Sequence, residues 1–287
     1  MSTIGTRWND SGSFIAAWEG KVLRLAPPGG DWIFVSDAHL TGKEPGEVEA
    51  FLTFLDSEEG RMGHLVILGD LFEFFFGFKG LSSAGRSFAF PDYLPVFERL
   101  RRLYRGGVRI KYFEGNHDFF LHPFLGERFN MDVDVYPEGG EESLGGKKAF
   151  IAHGDLANPR QWRYRAYRRI LKNRWTYRLI QLLGPQIAQW VARRLSDRSY
   201  QRYHPNACEG PPSSFKSFAH RKFLEGFEIV VLGHSHFPEK VEEWVEGKKC
   251  LYVNVGDWLE HRSFLRFTPP SHFELERFKE KRLMMDD

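Results

Sequence analysis

The sequence predicts an α/β fold in which short buried strands alternate with helices along most of the chain. Short apolar runs stop repeatedly at Asp, His or Asn, and two of the segments between them have apolar residues at helical spacing. With 42% apolar and 16% aromatic residues, the 287-residue chain can bury a large core. Its length permits one large domain or two small ones.

The pattern predicts five strands. They cover residues 32–36, 64–68, 108–113, 149–152 and 229–232. Helices are predicted around residues 48–55 and over residues 93–104, where apolar side chains recur three and four residues apart before Gly106 and Gly107. Between residues 241 and 278 the pattern indicates short strands joined by turns.

Each of the five predicted strands runs into a polar cluster. The clusters are Asp37-Ala38-His39, Gly69-Asp70, Gly115-Asn116-His117-Asp118, His153-Gly154-Asp155 and Gly233-His234-Ser235-His236. A lone His or Gly-Asp is usually structural, but five of the eleven histidines lie in these clusters. Ligands of open α/β sheets bind outside the carboxyl ends of the strands, and glycines let the backbone approach a bound ion. If strand geometry persists for a residue or two, Asp-x-His and His-x-His direct alternate side chains to one point.

The clusters predict a metal site. The candidate ligands are Asp37, His39, Asp70, Asn116, His153, His234 and His236. Imidazole with carboxylate suits Zn, Mn or Fe and argues against a calcium site. Seven ligands exceed the three or four of a single zinc, so we expect two ions that share one carboxylate.

Several other classes of protein are not expected. Cys208 and Cys250 are too few for a disulfide framework, and a reducing compartment fits them. The first 25 residues lack the apolar stretch of a secretory signal, and the chain has no apolar run of about 18 residues that would span a membrane. We therefore expect a soluble chain or one that lies on a membrane surface.

A basic segment follows the fourth cluster. Residues 160–202 contain eleven Arg and one Lys against one Asp, a net charge of +11 in a chain whose total is +2. Apolar and aromatic residues alternate with the basic ones, so the segment predicts an amphipathic helix that ends at Gly184-Pro185 and a second over residues 186–195.

Three interpretations of this segment remain open. Basic helices with Trp and Leu on the opposite face lie on anionic membranes, which is the interpretation we favour. Its candidate substrate or membrane contacts are Arg168, Arg169, Trp175, Leu179, Arg193 and Arg194. The alternatives are a helical hairpin packed on the core and, less favoured, a nucleic-acid surface.

An aromatic run follows Gly69-Asp70. Its members are Phe72, Phe74, Phe75, Phe76 and Phe78. They would form either a wall for an acyl chain or part of the core. We favour the core, because five rings in one run cannot all face one groove.

The ordered motifs DxH, GD, GNHD, HGD and GHSH resemble the calcineurin-like metallophosphoesterase superfamily over residues 32–258. The resemblance implies a single domain over residues 1–287, with two mixed β-sheets flanked by helices and a helical insertion cap at about 156–206. It implies one ion on Asp37, His39, Asp70 and His236 and another on Asp70, Asn116, His153 and His234. Asp70 would bridge them, and a hydroxide shared by both ions would attack phosphorus.

Two further roles are implied by the same resemblance. His117 would donate a proton or hydrogen bond to the leaving or equatorial oxygen. Asp118 would orient the His117 ring. The site is therefore expected to combine metal-activated water with a general acid.

The basic segment after His153-Gly154-Asp155 is similar to the lipid-binding cap of bacterial UDP-2,3-diacylglucosamine hydrolases, with residues 167–175 resembling its first helix. This resemblance implies hydrolysis of a nucleotide-linked lipid to UMP and a lipid monosaccharide phosphate on the lipid A pathway. It also implies two divalent ions, with Mn²⁺ expected and Fe or Zn as alternatives. We expect a cytoplasmic location on the inner face of the cell membrane, an anionic membrane surface as partner, and neither a nucleic-acid nor a protein partner.

Three positions depart from that group. His117 stands where the group has Arg in a GNRD motif, Phe78-Lys79 stand where it has an acidic pair, and residues 156–159 replace acidic residues. These departures favour the alternative of a phosphodiesterase, nuclease or phosphatase that acts on a non-lipid substrate or another phospholipid. A metal-free scaffold is disfavoured, because all seven candidate ligands are present.

Overall fold

The computed structural model describes residues 5–8, 14–18, 21–24, 26–27, 29–41, 45–78, 90–184 and 212–280. Cys208 and the predicted helix over residues 186–195, with Arg193 and Arg194, lie outside these ranges. The predictions made for them stay predictions.

The elements alternate as the sequence predicts. Up to residue 129 they are β1 (Gly5–Trp8), β2 (Phe14–Trp18), β3 (Lys21–Arg24), β4 (Asp31–Val35), α1 (Pro45–Glu58), β5 (Met62–Ile67), β6 (Phe75–Phe76), α2 (Leu94–Arg105), β7 (Arg109–Phe113), β8 (Asp118–Phe119) and α3 (Leu121–Phe129). A 3-10 turn, Pro91–Tyr93, precedes α2. The remainder are β9 (Asp134–Tyr136), β10 (Gly140–Leu144), β11 (Lys147–Ile151), α4 (Trp162–Leu171), α5 (Arg174–Leu183), α6 (Ser213–Leu224), β12 (Ile229–Leu232), β13 (Glu239–Val245), β14 (Lys248–Asn254), β15 (Ser263–Thr268) and β16 (His272–Arg277).

Two mixed sheets form the centre of the fold. The six-stranded sheet has the order β16-β15-β4-β5-β7-β9, in which β4, β5, β7 and β9 are parallel. The five-stranded sheet has the order β10-β11-β12-β14-β13, in which β11, β12 and β14 are parallel. The expected pair of mixed sheets is confirmed. A three-stranded sheet of β1–β3, which the sequence did not predict, and a two-stranded sheet of β6 and β8 complete the fold.

The central strands are covered on both faces, which explains their continuous apolar sequences. Along β4, Phe34 faces the core between the two sheets, whereas Ile33 and Val35 face the core beneath helices α1–α3. On β12, Val231 joins the core between the sheets and Val230 faces α6. The layers are therefore helix, sheet, sheet and helix.

The aromatic run after Asp70 belongs mainly to this core. Phe72, Phe75, Phe76 and Phe78 are buried, and Phe74 is partly buried against the same cluster. The interpretation as core residues is confirmed.

The basic segment departs from its predicted form at one point. The sequence predicts one helix up to Gly184, but the structure ends α4 at Leu171 and starts α5 at Arg174. The side chain of Asn173 accepts a hydrogen bond from the backbone N–H of Trp175, so Asn173 caps a new helix. The prediction that the helical segment ends at Gly184 is confirmed, because Gly184 is the residue that terminates α5.

Candidate metal centre

The seven predicted ligands follow five strands whose carboxyl ends meet at one edge of the fold. Strands β4, β5 and β7 are neighbours in the six-stranded sheet, and β11 and β12 are neighbours in the five-stranded sheet. They are followed by Asp37 and His39, Asp70, Asn116, His153, and His234 and His236, in that order. Because the two sheets pack face to face, these loops converge between them.

The loops converge through left-handed backbone and not through extended strand. The φ angles are 51° at Asp37, 43° at His39, 51° at Asp70, 66° at His234 and 60° at His236. The condition that strand geometry persists through Asp-x-His and His-x-His is therefore not met, and left-handed turns direct these side chains instead. Residues other than glycine rarely adopt this region, and such conformations concentrate at functional sites.

Two glycines allow the loops to come this close. A Cβ at Gly115 would lie 2.0 Å from Oδ1 of Asp70. A Cβ at Gly69, where φ is 80°, would lie 2.6 Å from the backbone of Gly115 and 2.9 Å from Nδ1 of His153. The absence of a side chain at both positions is what lets the Asp70, Asn116 and His153 loops touch.

Asp37, His39 and His236 form one group of ligand atoms. Oδ1 of Asp37 lies 3.8 Å from Nε2 of His39 and 3.5 Å from Nε2 of His236. The other oxygen, Oδ2, accepts hydrogen bonds from the backbone N–H of His234 and from Ser36. Within the described part of the chain, Oδ1 of Asp37 and Nε2 of His39 are buried without a hydrogen-bond partner. Buried polar atoms of this kind need a partner, and a cation between them supplies one.

Asp70, Asn116, His153 and His234 form the second group. Nε2 of His153 lies 3.4 Å from Oδ2 of Asp70, 3.1 Å from Oδ1 of Asn116 and 3.0 Å from Nδ1 of His234. Oδ2 of Asp70 is also 3.9 Å from Nε2 of His39, so it lies between the two groups. Asp37 is close enough to His153 and His234 to be shared as well.

An oxygen atom lies near Nδ1 of three of these histidines. Nδ1 of His153 contacts the carbonyl of Leu68 at 2.6 Å, and Nδ1 of His39 lies 3.3 Å from a carboxylate oxygen of Glu73. Nδ1 of His236 faces Asp257 at 3.7 Å. An oxygen on Nδ1 leaves Nε2 free to bind a metal, which is the usual arrangement of metal-binding histidines.

Glu73 and Asp257 were missed in the sequence. A signal for Asp257 was present, because Gly256-Asp257 follows the apolar strand β14 just as Gly69-Asp70 follows β5. Glu73 carries no such signal, since its contact with His39 depends on how two loops pack.

His117 lies beside the first group, but Asp118 does not orient its ring. Nδ1 of His117 contacts the carbonyl oxygen of Glu73 at 2.7 Å. The carboxylate of Asp118 instead accepts hydrogen bonds from Tyr112, from the backbone N–H of Leu71 and from that of Gly115. The implied role of Asp118 is therefore corrected: it is a buried brace of the GNHD loop, and Glu73 holds the ring.

The charges of the site favour a cation. Burial lowers the pKa of His153, but the neighbouring carboxylate of Asp70 outweighs it and raises that pKa to about 10. Burial also raises the pKa of Asp37, yet the histidines around it bring that pKa below its ordinary value. Burial and the charge on His153 lower the pKa of His234 to about 4. The metal-free site thus holds protons where a metal ion would supply the positive charge.

The predicted contacts in the basic segment fall into two sets. Arg168, predicted as a substrate or membrane contact, is 5% exposed and lies 2.5 Å from the Asp155 carboxylate, so it faces the protein and not the surface. Arg169, Trp175 and Leu179 are exposed. Among the described helices, none is both long and apolar enough to cross a bilayer.

The chain is similar to several known proteins. The chain is 28% identical to the UDP-2,3-diacylglucosamine hydrolase of Pseudomonas aeruginosa (strain UCBPP-PA14) over 79% of this chain and 90% of that protein. It is 27% identical to the enzyme of the same name from Vibrio cholerae (strain ATCC 39541) over 85% and 95% of the two chains. A solved archaeal phosphodiesterase aligns with 86% of this chain and 99% of its own, at 15% identity and a TM-score of 0.43.

The family model of the calcineurin-like phosphoesterases matches residues 32–238. That range contains all seven predicted ligands and His117. Membership implies divalent metal ions, and the donor set and the buried, unpartnered atoms of Asp37 and His39 fit them. The chain belongs to the calcineurin-like phosphoesterases and is a metal-dependent phosphoester hydrolase.

Proposed function

We propose that the chain hydrolyses the pyrophosphate bond of UDP-2,3-diacylglucosamine, or of a related nucleotide-linked lipid, to UMP and a lipid monosaccharide phosphate. The observation that best supports this substrate is an exposed apolar surface beside the candidate metal centre. Ile170, Trp175 and Leu179 are 64%, 63% and 55% exposed. Arg168 of α4 and Lys172, between α4 and α5, contact the loops of His153 and Asn116. The names of the relatives support the same assignment.

The two groups of ligand atoms would hold the two ions. Asp37, His39 and His236 would bind one ion, Asn116, His153 and His234 the other, and Oδ2 of Asp70 would touch both. When bound, the ions activate a water molecule as the nucleophile and stabilise charge on the phosphoryl oxygens. Mn²⁺ is the ion we propose, with Fe or Zn as alternatives.

His117 would assist departure of the leaving group. The carbonyl oxygen of Glu73 accepts a hydrogen bond from Nδ1–H of His117, which leaves Nε2 directed away from Glu73. The imidazolium form of a ring held in this way, with hydrogens on both Nδ1 and Nε2, is positioned to give the Nε2 proton or a hydrogen bond to the leaving or equatorial oxygen of the substrate.

The exposed surface of α4 and α5 would bind acyl chains and rest on the membrane. Arg174 and Arg178 lie over the Trp175 ring, so cations flank the apolar residues as they do in helices that bind anionic interfaces. Location on the inner face of the cell membrane, with Arg169, Arg193 and Arg194 near the lipid headgroups, belongs to this proposal.

A phosphodiesterase for non-lipid substrates is the second candidate. His117 supports it, because the group with the proposed lipid substrate has Arg at that position. The exposed apolar residues of α4 and α5 favour the lipid substrate.

The test compares two substrates. Trp175→Ser with Leu179→Ser should lower kcat/KM for the UDP-linked lipid at least tenfold, but leave kcat/KM for a small chromogenic diester near wild type. The reason is that these residues contribute binding energy only when an acyl chain is present. The matched control is Trp244→Ser with Leu224→Ser, two exposed residues on β13 and α6.

A constant ratio of the two kcat/KM values would contradict the lipid substrate. Release of UMP from the UDP-linked lipid with Mn²⁺ is expected from the wild-type chain. If the wild type cleaves DNA or the simple diester and leaves the lipid intact, the second candidate is correct.

A further inference from the structure

Helix α4 and the residue that ends it, Lys172, present one buried and one largely buried basic side chain, one helical turn apart. Arg168 is 5% exposed, and the Lys172 side chain, directly after the helix, is 11% exposed. Arg163, Arg165 and Arg169 of the same segment are exposed. Burying a cation costs free energy unless it is paired, so Arg168 and Lys172 require specific partners.

The partner of Arg168 belongs to the His153 loop. Nε of Arg168 lies 2.5 Å from Oδ2 of Asp155, and Nη2 donates to the carbonyl of Pro137 at 2.6 Å. The hydroxyl of Tyr164, on the same helix, donates to the same carboxylate oxygen at 2.8 Å. Asp155 follows His153 by two residues, so both contacts fix that loop.

The partner of Lys172 belongs to the Asn116 loop. Nζ lies 3.3 Å from Oε2 of Glu114 and 3.2 Å from the carbonyl oxygen of Pro137. Glu114 is 6% exposed, and its other oxygen accepts the backbone N–H of Leu121 at 3.1 Å. Glu114 precedes Asn116 by two residues.

Glu114 and Asp155 follow strands of different sheets. Glu114 follows β7 of the six-stranded sheet, and Asp155 follows β11 of the five-stranded sheet. The ligand atoms of Asn116 and His153 are 3.1 Å apart across this boundary. A helix attached to both loops limits how far the two ligands can separate.

We propose that Arg168 and Lys172 are positioning residues of the metal centre, which clamp the loops of His153 and Asn116 together so that both bind the same ion. The clamp acts on one ion more than on the other, because Asp37, His39 and His236 are held by other contacts, including those of Glu73 and Asp257. The inference does not depend on the proposed lipid substrate.

The test is a titration of the chelator-treated full chain with Mn²⁺, followed by the number of ions bound and by electron paramagnetic resonance. In Lys172→Met and Arg168→Met, one ion should bind about 10- to 100-fold more weakly, the usual effect of losing a group that supports a ligand. The resonance of a spin-coupled pair should be lost while one uncoupled Mn²⁺ remains. Arg163→Met, on the exposed face of α4, is the matched control.

Variants that restore the positive charge at position 168 or 172 should restore binding of the pair of Mn²⁺ ions. Lys172→Arg and Arg168→Lys are expected to recover the second ion, which a general loss of packing would not explain. If Arg168→Met does not fold, Glu114→Gln removes the charge from the other pair with little change of shape, and the same selective loss is expected. Two ions at wild-type affinity in Lys172→Met, or equal loss of both ions, would overturn the proposal.

Discussion

Asp70 uses its two carboxylate oxygens for different purposes. Oδ1 accepts the backbone N–H groups of Asn116 and His117 at 2.8 and 2.9 Å, which fixes the GNHD loop. Oδ2 faces His39 and His153 from between the two groups of ligands. The family resemblance implies that Asp70 is a shared ligand, whereas its function in fixing the loop required the structure.

Asp70→Asn separates these two functions. The amide oxygen can still accept the two backbone N–H groups, but the charge between the ions is lost. We expect weak binding of the second ion and a fall in kcat of about a thousandfold, because several kcal/mol of transition-state stabilisation disappear. Metal analysis and turnover on a small diester measure both. Two tightly bound ions with near wild-type turnover would exclude a bridging role.

His117→Ala should leave the metal content at its wild-type value. Turnover should fall about 100- to 10,000-fold, the usual range for a positioned general acid. The loss should shrink for esters with good leaving groups, because these need less protonation. Equal losses for good and poor leaving groups would assign His117 to stabilisation of the phosphoryl oxygens, and lost metal would make it a ligand.

Elements with a strong local signal could be predicted from the sequence, and those defined by long-range packing could not. Strand β12 covers residues 229–232 as predicted, and α2 lies within one residue of its predicted ends. The break at Asn173 and the burial of Arg168 could not be predicted, because a basic residue on an amphipathic helix has the same local pattern whether it faces solvent or a buried carboxylate.

Arg266 of β15 connects three neighbouring elements through ion pairs. Its guanidinium pairs with Glu58 of α1 at 2.8 Å, with Asp31 of β4 at 3.1 Å and with Glu276 of β16. Arg266→Met would leave a buried Glu58 carboxylate without this cation, so the free energy of unfolding should fall by about 3–5 kcal/mol in a denaturant titration. Lys249→Met, which removes an exposed pair, is the control and should be close to wild type. A similar value for both variants would contradict this role of Arg266.

The two sheets bring the candidate ligands together. They also bury these side chains, and so they affect how strongly a metal ion must compete with protons for them. Burial lowers the pKa of His39 and His153, but the carboxylates of Asp37 and Asp70 reverse this and raise both pKa values. Both rings are therefore protonated on both nitrogens, as imidazolium ions, near neutral pH in the metal-free chain. A metal ion must displace one of these protons before it binds.

Metal affinity should consequently rise with pH. His153, whose pKa is about 10, stays protonated in the metal-free chain below that value, so each ion that displaces one proton should bind about tenfold more tightly per pH unit from pH 6 to 8. Calorimetric titration with Mn²⁺ in buffers of different ionisation enthalpy counts the protons released. An affinity that is independent of pH would show that these histidines are neutral before the metal binds.

We expect five strand ends from two sheets to assemble one centre for two ions. Anomalous diffraction at the manganese edge, from crystals of the Mn²⁺-loaded chain, tests this expectation most directly. We expect two peaks per chain, one beside Asp37, His39 and His236, the other beside Asn116, His153 and His234, with Asp70 between them. A single peak, or a pair of peaks without Asp70 between them, would contradict it.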